Sequence, residues 1–384
     1  MRILATVHHD LDLDAGAAGA TLRLFAAVAE QGHDPEVRGL EAVPTWLPRQ
    51  IRLALFAWRM APVFARADVD VVDASTADAW VWSLMRRRSS PPLLVTRSHG
   101  LEHVLREGER RVMADEGRRL SLRNRLFWRY RLWEIARSLR AADVCVFLND
   151  DERRHAVDRL GVAPERTAVV SHGIGEHFFG QPAPQHHDVP RVAFVGGLNG
   201  LKGGTVAVDV LTSALAADPD LEVTFLGSGD HDVAGAFPAE VRSRVRAVPR
   251  FANTDLPGLL AGHALVLATP YAEGFGMALV ESMACGLAPV VFDVGGPRRL
   301  VEDGVTGRVV PAGDVRAAAA ALVGLAADAD LLLTVRRAAQ AHAATFTWER
   351  AAAEIVEIYT QHGAVADAGA ATKRAGGRRL RSRR

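Results

Sequence analysis

The chain has 384 residues, more than one hydrophobic core usually supports, which favours two α/β domains of roughly 150 to 190 residues each. A formal charge of +1 gives no general attraction to nucleic acid or membranes, and no apolar run reaches the roughly 18 residues expected of a membrane span. Only two cysteines are present, and the short apolar start RILATV is followed at once by polar residues. The sequence therefore predicts a protein of a reduced, cytoplasmic compartment without a signal peptide.

Strands and helices alternate along the first half of the chain. Buried strands are predicted at RILATV, VDVVDA, LLVTRS, ADVCVFL and TAVVSH, and helices near residues 20–31, 46–67 and 120–141. A second series of apolar strands follows at VAFVGG, LEVTFLG, RVRAVPRF, HALVLATP and APVVFDV. Strands that are apolar along their length and separated by helices indicate βαβ units and parallel sheets.

The proline-rich segment QPAPQHHDVP separates the two series and is predicted to contain the domain linker. The predicted segments are a first domain over 1–182, a linker over 183–190, a second domain over 191–345, a helix over 346–362 and a tail over 363–384. The tail is predicted to be disordered and basic, because it lacks apolar periodicity and ends in arginines. Open α/β sheets bind ligands beyond the carboxyl ends of their strands, which predicts a cleft between the two domains.

The most informative stretch is YAEGFGMALVESMACGLAPVVFDVGG, residues 271–296, a glycine-rich loop that leads into a helix between two apolar strands. Its glycines allow backbone to approach a ligand closely, and the free N–H groups at the helix start near Met277 attract an anion. Glu273 and Glu281 would repel phosphate unless they accept hydrogen bonds from hydroxyl groups on either side of it. This layout matches a nucleotide sugar, in which a diphosphate lies between sugar and ribose hydroxyls.

The two glutamates, with seven residues between them, resemble the E-x7-E signature of retaining glycosyltransferases with the GT-B fold, in particular family 4. The resemblance extends from Met1 to about Tyr359 and includes the glycine-rich stretches LDAGAAGA and FVGGLNGLKGG. It implies an α/β fold of two facing Rossmann-like domains with parallel sheets and an interdomain cleft. It also implies metal-independent transfer of a hexose-type sugar from a nucleoside diphosphate to an acceptor hydroxyl, with retention of configuration.

The same resemblance implies roles for individual residues. Glu273 would stabilise the oxocarbenium-like sugar, Glu281 would bind the ribose hydroxyls, and Lys202 would bind the diphosphate. His99, which follows an apolar strand, would orient the sugar. Further donor-binding positions are predicted at Gly274, Phe275, Gly276, Met277, Gly16, Asn199, Val248 and Arg250. The predicted donor is a UDP- or GDP-sugar, the predicted acceptor is a sugar or a lipid-linked molecule, and no cofactor is expected.

The sequence departs from the family pattern at the diphosphate. The family usually has an arginine two residues after the valine of its Val-Gly pair, where this chain has Gly197. Arg298 and Arg299 are candidate replacements by loop position, and His172 and Gly175 also replace family residues. Preorganised positive charge stabilises the leaving diphosphate, so its loss leaves open a second class of function. That alternative is a nucleotide-sugar-binding protein of the same fold with little or no turnover.

Two other interpretations of the sequence are a metal site and a dinucleotide oxidoreductase. The segment HHDLDLD carries His8, His9, Asp10, Asp12 and Asp14, which could hold a hard cation on an extended loop. Asp-x-Asp strings recur elsewhere in the chain, and the family resemblance implies no divalent requirement, so we predict no metal site. A dinucleotide oxidoreductase is disfavoured because LDAGAAGA follows an acidic stretch and the second strand lacks an acidic residue at the expected place.

An arginine-rich segment over 117–140 carries eight arginines and one acid, Glu134, with aromatic residues at near-helical spacing. Such a helix can press a basic, aromatic face on an anionic bilayer or bind an acidic acceptor, whereas the ordinary alternative is a solvated face over a core. The segment is therefore a candidate for peripheral contact at the inner face of the membrane. No nucleic-acid partner is predicted, because no recognised nucleic-acid module surrounds it.

Overall fold

The computed structural model describes residues 1–13, 16–88, 90–115, 117–186, 190–198 and 200–363. Its strands are β1 Arg2–Thr6, β2 Asp34–Arg38, β3 Val71–Ser75, β4 Leu93–Arg97, β5 Val144–Phe147, β6 Thr167–Val169, β7 Arg191–Val195, β8 Glu222–Leu226, β9 Val245–Val248, β10 Leu265–Ala268, β11 Ala288–Phe292 and β12 Arg308–Val310. Its α-helices are α1 Gly16–Glu30, α2 Arg49–Arg66, α3 Glu102–Asp115, α4 Leu122–Ala141, α5 Asp150–Asp158, α6 Gly204–Ala217, α7 Leu256–Leu260, α8 Met277–Ala284, α9 Gly295–Leu300, α10 Val315–Ala327, α11 Ala329–Ala343 and α12 over 348–363.

The strands form two six-stranded sheets, with the orders β2-β1-β3-β4-β5-β6 and β12-β11-β10-β7-β8-β9. Every neighbouring pair in both sheets is parallel. The central strands are buried along their whole length, as in β3, β4 and β11, because helices connect successive parallel strands and cover both faces of such a sheet. The predicted α/β class with two parallel sheets is confirmed.

Contacts along the chain group it into two compact units. The first unit comprises Met1–Leu101, Leu120–Gly173 and the chain from 348 onward, and the second comprises Glu102–Arg119 and Ile174–Thr347. Helix α3 therefore belongs to the second unit, although it lies between two segments of the first along the chain. Helix α12 belongs to the first unit, in which its Tyr359 hydroxyl donates a hydrogen bond to Asp73. The domain boundaries predicted above stay predictions.

Strands β2 and β12 and helix α3 are among the elements that the sequence did not predict. Strands β2 and β12 are edge strands; β2 alternates between exposed and half-buried residues, and β12 has only three residues. Neither DPEVR of β2 nor RVV of β12 contains the long apolar run on which the prediction of buried strands depended. Helix α3 also lacks a clear apolar pattern, because its sequence, EHVLREGERRVMAD, is strongly polar.

A helix that crosses a membrane must be both long and apolar. Among the described residues, no single helix is both long and apolar enough to do so. Helices α10 and α11 reach the required length and composition only together, as a pair bent by 106°.

Candidate functional site

The predicted glycine-rich loop lies in the second unit, between β10 and α8. Gly276 is the residue that precedes α8, and its φ of 102° lies in the left-handed region that glycine adopts without strain. The first intrahelical hydrogen bonds run from Leu279 N and Val280 N to Gly276 O, at 3.0 and 3.1 Å. The N–H groups of Met277 and Ala278 precede these bonds, as the first N–H groups of any helix do. The loop therefore ends in the anion-attracting helix start that the sequence predicted.

Lys202 and Glu273 form an ion pair in this unit. Lys202 lies in the loop after β7 and Glu273 in the loop after β10, and these two strands are neighbours in the sheet. The Lys202 side chain is half exposed, whereas the Glu273 side chain is 18% exposed. Both residues line one cavity of about 50 Å³, together with Gly276, Leu279 and Pro297. A cation, a carboxylate and a helix start thus meet at one small cavity.

Close backbone packing holds the loop of Lys202 in place. Tyr271 N donates to Leu201 O at 3.1 Å, and the Thr269 hydroxyl donates to Gly203 O at 3.1 Å. Gly203 has a φ of 71°, and a Cβ at this position would lie 1.7 Å from Thr269 O. Only glycine fits here, so Gly203 allows the two loops to come close enough for the ion pair to form.

Glu281 occupies the second turn of α8 and is 6% exposed. Its Oε1 atom accepts a hydrogen bond from Asn253 Nδ2 at 3.3 Å. Burial, and then the Glu281 carboxylate, raise the pKa of the neighbouring Cys285 thiol to about 12. Glu281 is not among the residues that line the cavity of Lys202 and Glu273. Asn253 was missed by the sequence analysis, since nothing in its local sequence links it to α8.

The segment predicted to contact the base, around Val248 and Arg250, is tied to the loop after β8. Gly227 N donates to Val248 O at 2.8 Å, and the exposed Arg250 guanidinium pairs with Asp230 at 2.8 Å. Gly227 has a φ of 85°, and a Cβ there would lie 3.2 Å from the Phe251 ring. Phe251 therefore packs directly on this glycine turn, a contact that the sequence did not reveal.

The candidate replacements for the missing arginine are also placed in the second unit. Arg298, on α9, forms an ion pair with Asp293, and its Nη2 also donates to Asp293 O at 3.1 Å. Gly296 lies against the glycine-rich loop, because a Cβ there would be 2.4 Å from Phe275 O. The start of α9 thus packs on the loop that carries Glu273. Asn199, another predicted donor-binding residue, lies outside the described residues.

Helix α3 also packs on this loop. A Cβ at Gly108 would lie 2.7 Å from Ala272 Cβ and 3.2 Å from Tyr271 O. Both positions directly precede Glu273, so a side chain at position 108 would press on the segment that carries the carboxylate. The sequence predicted no role for α3.

The first unit holds the predicted His99, two residues beyond the end of β4. Its Nε2 atom lies 3.2 Å from the Thr21 hydroxyl and 3.1 Å from Arg97 Nη1, and its ring stacks on that of His172 at 6.0 Å. Burial, and then Arg97, lower the pKa of His172 to about 3. The same two causes, in the same order, hold the pKa of His99 well below its ordinary value. Both rings are therefore neutral at neutral pH.

A buried network lies beneath His99. Arg97 Nε donates to Asp73 Oδ1 at 3.0 Å, and the Tyr359 hydroxyl donates to Asp73 Oδ2 at 2.6 Å. Asp73 is fully buried and the Arg97 side chain is 3% exposed. Burial, and then Asp73, raise the pKa of the Tyr359 phenol well above its ordinary value. Burial is thus the main cause that keeps the two histidines neutral, and the charge of Arg97 adds to it.

Gly16 and Gly19 differ in what their positions require. Gly16 begins α1, and a Cβ there would meet nothing within 4 Å, so its backbone is open to an approaching ligand. A Cβ at Gly19 would lie 2.2 Å from Leu13 O, so glycine is required here for α1 to pack against the loop that precedes it.

Residues of the acidic segment after β1 form ion pairs and hydrogen bonds with residues elsewhere in the first unit. His8 Nδ1 lies 2.9 Å from Asp78 Oδ1, and both side chains are largely buried. Asp10 pairs with Arg52, whose Nη1 lies 3.2 Å from Asp10 Oδ2. Burial, and then His8, lower the pKa of His9 to about 4. Asp14 lies outside the described residues.

Two glycosyltransferase family models match different parts of the chain. The model of Glycosyltransferase Family 4 matches residues 7–177, and that of Glycosyl transferases group 1 matches residues 189–328. D-inositol 3-phosphate glycosyltransferase of Mycobacterium tuberculosis is 32% identical over 263 residues, which cover 62% of this chain and 52% of that protein. The chain therefore spans about half the length of the curated relatives it matches.

Solved structures show the same fold. Sucrose-phosphate synthase from Thermosynechococcus elongatus matches with a TM-score of 0.74 and 20% identity, over 95% of this chain and 99% of that chain. Anabaena HepE in complex with UDP-glucose matches with a TM-score of 0.66 and 20% identity, over 94% of this chain and 100% of that chain. These likenesses confirm the predicted GT-B fold class of Rossmann-like units.

Proposed function

We propose that this chain, which belongs to glycosyltransferase family 4, also described as glycosyl transferases group 1, transfers a sugar from a nucleoside diphosphate sugar to an acceptor hydroxyl. Glycosyl transfer creates negative charge on the leaving diphosphate and positive charge on the sugar carbon. A site for this reaction therefore needs donors aimed at phosphate and an anion beside the sugar.

The observation that carries the proposal is the convergence of Lys202, Glu273 and the start of α8 on one cavity. In the absence of donor, the Glu273 carboxylate neutralises the Lys202 ammonium. A bound diphosphate competes for that ammonium and is further attracted by the N–H groups at Met277 and Ala278. Glu273 is then available to the donor sugar, whose hydroxyls and developing positive charge it stabilises. Gly274, Phe275 and Gly276 bring the loop backbone up to the same diphosphate.

Glu281 is assigned to the ribose hydroxyls, with Asn253 orienting its carboxylate. A buried carboxylate that accepts one hydrogen bond from an amide can also accept hydrogen bonds from two adjacent hydroxyls. The segment around Val248 and Arg250 is assigned to the base. The donor is a UDP- or GDP-sugar, and the UDP-glucose complex of Anabaena HepE, which shares the fold, supports the UDP choice.

In the first unit, His99 is assigned to the donor sugar and Gly16 to the diphosphate and acceptor. Burial, and then Arg97, keep His99 neutral, so the ring exchanges hydrogen bonds with sugar hydroxyls without adding a charge. We propose that transfer retains the anomeric configuration, with the leaving phosphate assisting attack from the same face. Lys202 and the start of α8 supply the positive charge that a divalent metal supplies elsewhere, so the reaction is proposed to be metal-independent.

The proposed acceptor is a sugar or a lipid-linked molecule, in polysaccharide or glycolipid synthesis. The proposed location is the cytoplasm, with peripheral contact at the inner face of the membrane through the arginine-rich segment 117–140. These assignments rest on the family and on the composition of that segment.

The experiment combines nucleotide binding with donor turnover. UDP, GDP and their hexose conjugates are screened by thermal shift, and release of UDP or GDP is followed with an acceptor panel in the presence of EDTA. We expect one nucleotide to stabilise the protein, and Glu281→Gln to weaken its binding about tenfold or more. Lys202→Met should retain the fold and lower turnover by about 10²-fold or more.

The matched controls change charged pairs of the same unit that lie outside the cavity. Glu222→Gln removes a carboxylate paired with Arg191, and Arg308→Met removes a cation beside Asp303. Both should bind nucleotide and turn over the donor as the unchanged protein does. Absence of any nucleotide response in the unchanged protein, or equal responses of Glu281→Gln and Glu222→Gln, would contradict the proposal.

A second function is supported by one observation. Gly197 replaces the family's arginine, and Arg298 is already paired with Asp293. The chain could thus bind nucleotide sugars tightly with little or no turnover. A strong thermal response without nucleotide release across the acceptor panel favours this alternative, and restoration of turnover by Gly197→Arg would attribute the defect to the missing cation.

A further inference from the structure

Two helices of the first unit expose apolar stripes to solvent. Helix α2 exposes Ile51, Leu55 and Trp58 by 45%, 42% and 55%, at the i, i+4, i+7 spacing of one helix face. Helix α4 exposes Leu122, Leu126, Tyr130 and Trp133 at the corresponding spacing, with Leu122 70% exposed. Each helix also has a buried face, so these stripes are additional to the core-facing ones.

The two stripes meet at a cluster of aromatic rings. Trp58 of α2 and Trp133 of α4 both make edge contacts with Trp80, with ring centroids 5.6 and 5.3 Å apart. Tyr130 stacks on Trp133 at 6.1 Å. Trp80 itself is buried, so it joins the helices from beneath while Trp58, Tyr130 and Trp133 remain accessible above it. The stripes therefore form one continuous surface, here called the α2–α4 face.

Arginines of the same two helices accompany the α2–α4 face. Exposed arginines on the two helices are Arg49, Arg59 and Arg66 of α2 and Arg123, Arg125, Arg129 and Arg140 of α4. Helix α2 contains no acid, and the only acid of α4, Glu134, is 1% exposed and pairs with Arg131 at 3.2 Å. The two helices thus combine exposed aliphatic and aromatic side chains with a large excess of arginine over acid.

We propose that the α2–α4 face docks on a bilayer of anionic phospholipid. Aliphatic side chains enter the acyl boundary, tryptophan and tyrosine rings lie at the headgroup level, and arginines pair with phosphates. A symmetric pairing with a second copy would bring two arginine-rich surfaces together, which disfavours a dimer through this face. The inference rests on the peripheral location proposed above but not on glycosyl transfer, and it makes α2 an equal part of the contact.

The experiment measures flotation of the full-length protein with vesicles, in the absence of any sugar donor. Vesicles of phosphatidylcholine are compared with vesicles that also contain phosphatidylglycerol, at low and high salt. Two double variants, Ile51→Ser with Leu55→Ser and Leu122→Ser with Leu126→Ser, change only solvent-exposed positions outside the aromatic cluster. Each pair should weaken binding to the anionic vesicles about tenfold or more.

Three further variants separate the α2–α4 face from other sources of binding. Val305→Ser with Leu331→Ser removes equally exposed apolar side chains from the second unit and should leave binding unchanged. Arg125→Gln with Arg129→Gln should weaken binding to the anionic vesicles and lower its salt dependence. A chain ended at residue 363 removes the basic tail and should still bind.

Defined outcomes overturn the inference. Loss of binding on removal of the tail, with full binding by the two double-serine variants, would assign the contact to the tail. Weakening by the α4 pair alone would exclude the two-helix face. A dimer in analytical ultracentrifugation that the double-serine variants dissociate, without vesicle binding, would identify a second copy as the occupant. The nucleotide thermal shift of every variant is measured in parallel, so failure of docking and failure of the donor site are told apart.

Discussion

The two units position polar groups beyond the ends of parallel strands by different physical means. In the second unit, backbone packing positions them. Gly203 lies against Thr269, which brings the loops after β7 and β10 together, and Lys202 and Glu273 form an ion pair across these two loops. In the first unit, buried side-chain hydrogen bonds do so, from Arg97 and Tyr359 to Asp73. The same sheet architecture thus supports a half-exposed ion pair in one unit and a fully buried one in the other.

This difference has consequences for stability and for ligand binding. A buried charge pair is costly to break, because removing one partner leaves the other charge without water or counter-ion. A half-exposed pair contributes little to stability, so a ligand can replace one of its partners at small cost. The second unit is therefore suited to exchange its ion pair for a diphosphate, whereas the network of the first unit is suited to remain unchanged.

The largest expected effect comes from breaking the buried network. Asp73→Asn removes the counter-charge of Arg97, and we expect the free energy of unfolding to fall by about 3–5 kcal/mol. Tyr359→Phe removes one hydrogen bond to the same carboxylate and should cost only about 1–2 kcal/mol. Urea unfolding of both variants measures the difference. Equal, small losses would show that Asp73 is not the centre of this network.

The next effect tests the backbone packing of the second unit. Gly203→Ala combines a φ of 71° with a Cβ 1.7 Å from Thr269 O, and should cost about 3 kcal/mol or more. Gly313→Ala is the matched control, since it has a φ of 86° and nothing within 4 Å, and should cost about 1 kcal/mol. Thermal unfolding compares the two. Similar losses would mean that the close approach to Thr269 O adds nothing beyond the φ strain.

A smaller effect is expected where α3 meets the loop of Glu273. Gly108→Ala places a Cβ 2.7 Å from Ala272 Cβ, and such overpacking should cost about 1–2 kcal/mol. Ala272→Gly removes the opposing methyl group, so the double variant should recover part of the loss. A double-mutant cycle on the free energy of unfolding and on nucleotide binding measures the coupling. Additive changes would exclude a direct contact between the two positions.

The smallest effect is the pH dependence of the first unit. The folded pKa of His172, about 3, lies below its ordinary 6.5, so the unfolded state takes up a proton first as the pH falls. Stability is therefore complete above about pH 6.5 and declines continuously toward pH 3, by about 1 kcal/mol or more at pH 5. His172→Gln should flatten this decline between pH 7 and pH 5. An unchanged slope in His172→Gln would assign the decline to other groups.

The sequence predicted the parts of the candidate site whose residues lie close together along the chain. Glu273, Gly276 and Glu281 lie within one strand, loop and helix, so their placement follows from the chain itself. Asn253, by contrast, reaches Glu281 from a turn 28 residues away, and α3 contacts the loop through a glycine with no distinctive sequence around it. Contacts of this kind leave no periodic signal, because each involves one residue from an otherwise ordinary segment.

By itself, the sequence determined the fold class and the start of α8, since apolar runs separated by helices specify parallel sheets and a glycine specifies the left-handed turn. Tertiary structure decided which loops meet. Lys202 and Glu273 are 71 residues apart, and they pair because β7 and β10 are neighbours, so that the loops at their carboxyl ends lie side by side. Asp73 and Tyr359, 286 residues apart, meet only because α12 packs within the first unit. Strand order and helix docking depend on the packing of the whole core, which no local pattern contains.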